Sequence, residues 1–176
     1  MNGGEQPLAK HAACCLGSLN LEEFVVEPFT PSARFNGDKF RKAVRIAVRG
    51  LDDIVEENLG RHPLPEQEKM AARFRNIGLG IMGYANALMM LGIKYGDSRA
   101  LAFTNEILRL MFREAVLASN ELAKERGAFP GYQSDMLKSR IIKEHFSDEE
   151  IWLYTELNKY GLRNCSLLSI APTGSN

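Results

Sequence analysis

The sequence predicts a helix-rich α/β fold, a partial parallel sheet with helices packed against it. Short apolar segments suited to buried strands lie near 11–21, 75–83 and 165–171. Long stretches with apolar residues at helical spacing separate them, and strands joined by crossovers of that length run parallel. The 176 residues are 45% apolar and 25% charged, the balance of one globular domain long enough to bury a core.

Each element follows from local chemistry. Residues 11–21, HAACCLGSLNL, are small, apolar and interrupted by Gly17, too short for a good helix, and read as the first buried strand. After Pro28 and Pro31, Asn36 or Asp38 caps a helix that carries Phe40, Val44, Ala47, Val48, Leu51 and Val55 on one face and ends near Gly60. The run His62-Pro63-Leu64-Pro65 breaks it. A short helical piece from Glu66 leads into the second strand, where Gly78, Gly80 and Gly83 each weaken a helix by about 1 kcal/mol relative to Ala, so strand and tight turn fit better. Helix resumes over Ala85 to Leu91 and stops at Gly92. Asp97 or Ser98 caps the longest helix, which runs to about Arg126 with Gly127 as its stop. Two shorter helices follow, near Ser134 to His145 and Ser147 to Tyr160, the second opened by the acids of Ser147-Asp148-Glu149-Glu150. The last strand, Cys165 to Ala171, ends at Pro172. Strands near both ends of the chain leave sheet edges that need covering.

Composition excludes several classes. Twenty-two Lys plus Arg balance 22 Asp plus Glu, so no net field draws the chain to nucleic acid or to an anionic membrane surface. The apolar runs around Ile77 to Met82 and Ala85 to Ile93 fall short of the roughly 20 residues that cross a bilayer. The opening MNGGEQPLAKH has no apolar core of a secretory signal, so a cytoplasmic location is expected. Cys14, Cys15 and Cys165 are odd in number and lack metal-ligand spacing, which argues against a disulfide scaffold and a zinc site; no metal ligand is assigned. Adjacent Cys14 and Cys15 face opposite ways on a strand, and Cys165 is either a partner for one of them or a core residue.

Three places carry candidate chemistry. Gly78, Gly80 and Gly83 spell G-x-G-x-x-G, which in a strand-turn-helix setting cradles a dinucleotide pyrophosphate. The charged lead-in Arg73-Phe74-Arg75-Asn76 and the early Asp97 depart from that fingerprint, and glycines that let a strand or its turn pack closely on a neighbour are the favoured explanation. Pro172-Thr173-Gly174-Ser175 offers hydroxyls and free amides at a strand's C-terminal end, suited to phosphate, though a plain turn has the same signature. Glu5, beside Gly3 and Gly4, is a general-base candidate where the missing side chains admit a substrate, or else a solvated residue. Met82, Met89, Met90 and Met111 read as core filler, and His11, His62 and His145 do not cluster.

Taken together, five segments resemble the catalytic large subunit of ribonucleotide reductases. Gly4-Glu5-Gln6-Pro7-Leu8 resembles the end of that family's finger-loop motif Asn-Pro-Cys-Gly-Glu-Gln-Pro-Leu. Cys14-Cys15-Leu16-Gly17-Ser18-Leu19-Asn20-Leu21 resembles its Cys-x-Leu-Gly-Ser-Ile-Asn-Leu strand. Arg75 through Gly83, Glu121 through Pro130, and Gly161-Leu162-Arg163-Asn164 with Ser169 through Ser175 resemble three more segments, in the family's order along nearly the whole chain. The resemblance implies a ten-stranded α/β barrel made of two five-stranded halves, with the finger loop threaded through its centre. Residues 1–176 would be a single piece of it, the finger-loop remnant at 1–8 and about three strands of one half after it. In that setting the glycines of 78–83 belong to a barrel strand and its exit.

The implied reaction replaces the 2′-hydroxyl of a ribonucleotide with hydrogen by thiyl-radical chemistry, with a redox cysteine pair as reductant. Carried over residue by residue, Glu5 matches the glutamate that takes the 3′-hydroxyl proton and Cys14 matches one reducing cysteine. Thr173, Gly174 and Ser175 match the loop that holds the substrate phosphate. The ribonucleotide substrate and a thioredoxin-type reductant are the implied partners. The wording of the motifs is closest to the adenosylcobalamin-dependent reductases, with a di-metal radical subunit as the alternative. Gly3 stands where the radical cysteine belongs and Met1 where an asparagine belongs, so the chain is expected to be an excised fragment of the enzyme, inactive alone and without bound cofactor. An independent nucleotide-binding module using Gly78 to Gly83 and a non-catalytic scaffold are the competing readings. The reductase reading expects Glu5, Cys14 and Thr173 to converge at the strands' C-terminal ends with Gly78 packed in the sheet. The module expects an anion at Gly80 and Gly83, facing the helix of Ala85.

Overall fold

A computed structural model describes residues 4–146 and 151–172. Its central sheet joins β1 (Cys15–Asn20) in parallel to the later strand Ile77–Met82, with Cys15 opposite Ile77 and Asn20 opposite Met82. Between them lie β2 (Val25–Val26) and β3 (Arg34–Phe35), a small antiparallel pair within the Pro-containing connection that local patterning left as loop. Then come α1 (Gly37–Asn58) and α2 (Pro65–Phe74), so that Ile77–Met82 is β4. After it follow α3 (Tyr84–Met90), α4 (Ser98–Arg126), a 3-10 turn at Ser134–Lys138, α5 (Arg140–His145) and α6 (Ile151–Tyr160).

The helix starts obey the capping chemistry. The Asn36 side chain accepts from the Lys39 N–H at 3.0 Å, and Asp97 accepts from the Ala100 N–H at 2.8 Å. Pro65 opens α2, and Gly127, at φ +85°, closes α4. One apolar face of α1 (Phe40, Val44, Val48, Leu51, Val55) packs on α4 (Ile107, Met111, Ala115, Leu122), and α1 also lies against β1 and β4, with Ile77 and Leu79 buried in the same core. No described helix is long and apolar enough to cross a membrane.

Several boundaries differ from the sequence reading. β1 starts at Cys15 rather than near His11, because His11 takes a positive φ of 63° and the Ala12 N–H closes a turn on the Ala9 carbonyl. β4 spans 77–82 rather than 75–83: Arg75 ends α2 in the left-handed region and Gly83 opens α3 there. The helix expected over Ser134 to His145 is divided at Ser139, whose φ and ψ are extended. The helix expected from Ser147 is described only from Ile151; Ser147 to Glu150 lie outside the described residues.

The third expected strand, 165–171, is reduced to an isolated parallel bridge between Leu168 and Leu79. The ladder explains why. Ile77 N–H donates to the Ser166 carbonyl and Leu79 N–H to that of Leu167, so two residues of β4 are set against one of the third segment. That is a bulge, and it breaks the regular register.

The far side of the core is held by a buried carboxylate. Asp52 of α1 is fully buried and accepts from Arg75 (Nη2, 2.8 Å; Nε, 3.0 Å), Asn164 (Nδ2, 2.9 Å), Arg126 (Nη1, 3.1 Å) and Arg163 (Nε, 3.4 Å). Glu56, one turn on, pairs with Arg75 at 2.8 Å and Arg163 at 3.0 Å. Asp52→Asn leaves the buried Arg75 and Arg163 guanidiniums to share the single Glu56 carboxylate and is expected to cost about 3 kcal/mol in urea unfolding. Gly80→Ala would set a Cβ 2.5 Å from the Ser169 carbonyl oxygen. Its expected cost in the same assay is about 1–3 kcal/mol, with faster amide exchange at Ser169 as the local signature.

Candidate functional site

The sheet has one face covered by helix α1 and one face covered by extended chain. Gly17 turns toward Leu51 of α1, so by alternation Leu16 and Ser18 turn the other way. There they join Cys14, Gly78, Gly80 and Ser169. A Cβ on Gly78 would stand 2.7 Å from the Cys14 Sγ and 2.8 Å from the Ser169 Cβ, so the missing side chain is the space in which the thiol and the serine meet. Gly80 allows the same close approach of the Ser169 carbonyl.

The amino-terminal segment closes over this place. The Ile170 N–H donates to the Gly4 carbonyl at 2.9 Å in an antiparallel bridge, and two residues later the Gln6 Nε2 donates to the Ile77 carbonyl at 3.0 Å and to the Cys14 Sγ at 3.1 Å. Glu5, half-buried between them, is close enough for its charge to act on Cys14. Burial pushes the Cys14 thiol up to about 11, the charge of Cys15 and then that of Glu5 add to the rise, and the Gln6 amide works against it. Two buried polar atoms beside the thiol, Gln6 Oε1 and Ser169 Oγ, have no hydrogen-bond partner among the described residues. On the other side of the strand entrance is a cavity of about 200 Å³ lined by Cys14, Cys15, Asn58, His62 and Asn76.

The structure therefore brings Glu5 and Cys14 together, with Gly78 packed in the sheet as expected. It does so at the opposite end from the one expected: Cys14 precedes β1 and sits beside Asn76 and Ile77, at the strands' N-terminal ends, because the turn at His11 delays entry into the ladder by several residues. Thr173, Gly174 and Ser175 lie outside the described residues. Cys165, read as core or partner, is an exposed free thiol, and its N–H donates to the Phe74 carbonyl across β4 from β1. The phosphate-cradle reading of the G-x-G-x-x-G is overturned. Gly78 and Gly80 are filled over by neighbours, and the space a Gly83 Cβ would need is taken by the Asn20 and Glu22 side chains at the mouth of the seven-residue α3. Among the described residues no three His, Cys, Asp or Glu side chains gather as a metal site.

Local patterning missed Gln6, Ser169 and Asp52. Asp52 had a signal, an acid on the apolar stripe four residues after Val48 and three before Val55. Gln6 and Ser169 had none, since their importance comes from what stands beside them.

Comparison with known proteins gives a consistent answer. The family model for the ribonucleotide reductase barrel domain matches residues 4–176. A vitamin B12-dependent ribonucleoside-diphosphate reductase of Thermoplasma acidophilum is 34% identical over 174 residues, 98% of this chain and 19% of its own length. One of Mycobacterium tuberculosis is 34% identical over 172 residues, 98% of this chain and 21% of its own. Among solved structures, the Actinobacillus ureae class Id ribonucleotide reductase alpha subunit superposes with a TM-score of 0.64 at 26% identity, over 92% of this chain and 25% of that one. The chain thus spans about a fifth of the length of the curated relatives it matches. With a family model matched along almost every residue and relatives 34% identical over nearly its whole length, the chain belongs to the ribonucleotide reductase barrel-domain family.

Proposed function

We propose that the chain forms one wall of a ribonucleotide reductase substrate pocket and carries one cysteine of its reducing pair. The reaction replaces the ribose 2′-hydroxyl with hydrogen. The hydroxyl leaves as water, and two thiols become a disulfide that a thioredoxin-type reductant reopens in the cytoplasm. On this reading Cys14 is one of the two thiols, Glu5 takes the 3′-hydroxyl proton, and Thr173, Gly174 and Ser175 hold the substrate phosphate. β1, β4 and the segment around Leu168 would be about three strands of one half of a ten-stranded barrel, with residues 1–8 the end of the finger loop.

The observation that carries this reading is the meeting of Cys14, Gln6 and Ser169 over Gly78. Two buried polar atoms there lack partners among the described residues, and each such atom costs about 1–3 kcal/mol until something satisfies it. A ribose brings hydroxyls that both donate and accept, the chemistry these two atoms call for. The Cys14 thiol, pushed up to about 11, rests protonated near neutrality, the form in which it holds a hydrogen to give.

For the parent enzyme we propose adenosylcobalamin as the radical source, as the names of the Thermoplasma and Mycobacterium relatives suggest for those proteins, with a di-metal radical subunit as the alternative. The residues described do not fit a corrin: the spaces beside the sheet, about 200 and 350 Å³, are at or below the lower end of ordinary small-ligand pockets. With Gly3 in the place of the radical cysteine, the chain lacks the sulfur that would start the reaction.

Two outcomes are expected. Supplied with adenosylcobalamin, dithiothreitol and a ribonucleoside diphosphate, the chain forms no deoxyribonucleotide above background, and measurable product would overturn that part of the reading. Titration with a ribonucleoside diphosphate, followed by amide NMR, shifts Gln6, Cys14, Gly78 and Ser169 more than inorganic phosphate does. Shifts confined to Gly80 to Tyr84 would restore the independent nucleotide-binding module.

A further inference from the structure

Gln6 is anchored at both protons of its side-chain amide. One N–H is directed to the Ile77 carbonyl at 3.0 Å and the other to the Cys14 Sγ at 3.1 Å. The first contact exists because of the bulge. Ile77 turns its N–H toward the third segment, where it reaches Ser166, so its carbonyl points the same way; the shifted ladder puts no backbone N–H on that carbonyl, and the glutamine takes the place. With the amide plane held on a backbone carbonyl, the second N–H has a fixed direction, and Gly78 leaves the space in which the sulfur meets it.

A thiol sulfur is a weak acceptor and a thiolate a strong one, so a donor fixed on the sulfur gains strength as the proton leaves. The groups that face Cys14 oppose that loss. Cys15 lies next to it on the chain and Glu5 on the amino-terminal segment, both anionic when ionised. β4 and the third segment present only uncharged groups, Asn76, Ile77, Gly78 and Ser169, and the cavity on the other side adds His62 and the neutral Asn58. Gln6 is thus the neighbour whose contact favours the ionised sulfur.

We propose that Gln6 is a positioning residue that orients the Cys14 sulfur and raises its thiolate fraction, setting how fast this cysteine can enter thiol–disulfide exchange. The use of that exchange rests on the reductase reading above; the coupling between amide and sulfur does not.

The test uses the full 176-residue chain with Cys15→Ala and Cys165→Ser, which leaves Cys14 as the single thiol. Alkylation by iodoacetamide, in which the thiolate forms a C–S bond, iodide departs and the thiol proton goes to solvent, is timed between pH 7 and 10. Gln6→Leu, similar in size and without a donor, is expected to slow the reaction about tenfold at fixed pH, equivalent to moving the profile up by roughly one unit. Gln6→Glu, which replaces the donor with an anion, is expected to slow it further. A side chain that merely filled space would give the opposite result in Gln6→Leu, an unchanged or faster reaction as the site loosened, and that outcome overturns the proposal. Amide spectra of each variant establish that the fold is retained. If Gln6→Leu opens the segment in those spectra, Gln6→Glu against Gln6→Lys decides: slower with the anion and faster with the cation supports a direct electrostatic contact, and equal rates overturn it. Loss of the nucleotide response with an intact thiol profile would sink the reductase reading alone, and the reverse would sink this one alone.

Discussion

The fold depends on one buried charge. Asp52 lies on the apolar face of α1, between Val48 and Val55, where a carboxylate alone would be strongly destabilising. It is tolerated because three parts of the chain bring donors to it: Arg75 at the end of α2, Arg126 at the end of α4, and Arg163 and Asn164 ahead of the third segment. A buried ion network adds little net stability over an apolar one, but it accepts few arrangements. Here it fixes where α2 stops, which is where β4 starts. Arg75 holds a left-handed φ of 48°, costly for a side chain with a Cβ, and its guanidinium is tied to Asp52 and Glu56. Ser119 completes the clamp, its hydroxyl donating to the Asn164 Oδ1 and accepting the N–H groups of Arg163 and Asn164.

From that clamp the register of the sheet follows, and from the register the site. Two Arg-Asn pairs, Arg75-Asn76 and Arg163-Asn164, enter neighbouring segments of the sheet with both arginines on the same carboxylate. Ser166 then meets Asn76 side chain to side chain at 2.9 Å, and the next residues fall into a bulged ladder. The bulge turns the Ile77 carbonyl over to Gln6, and Gln6 reaches the sulfur. The chemistry proposed for Cys14 is in this sense downstream of a buried aspartate on α1.

The glycines of 78–83 show how one pattern serves two physical purposes. Read as spacing, they suit a phosphate cradle; in the sheet, each is a place where a neighbour approaches too closely for a Cβ. A resemblance to the reductase family put them in a strand, and the packing of Cys14 and Ser169 on Gly78 agrees with that placement. Cys14, Ser169 and the amino-terminal segment cover these glycines, and Leu16, 49% exposed, lies at the margin of that covered face.

Local sequence determined the helices and their caps, because capping and amphipathic spacing are short-range: Asn36, Asp97 and Gly127 act within a turn of themselves. It also determined the family, since five ordered segments carry that information without any structure. What it could not determine was how much of 165–171 pairs as strand, or at which end of the sheet Cys14 sits. Both were decided by partners 62 to 166 residues away in the chain, Ile77 for Gln6 and Cys15, Ile170 for Gly4. Strand propensity specifies an extended backbone; only the tertiary contacts choose which N–H meets which carbonyl, and a shift of one residue at the bulge is enough to assign the Ile77 oxygen to a glutamine and so to bring an amide onto the thiol.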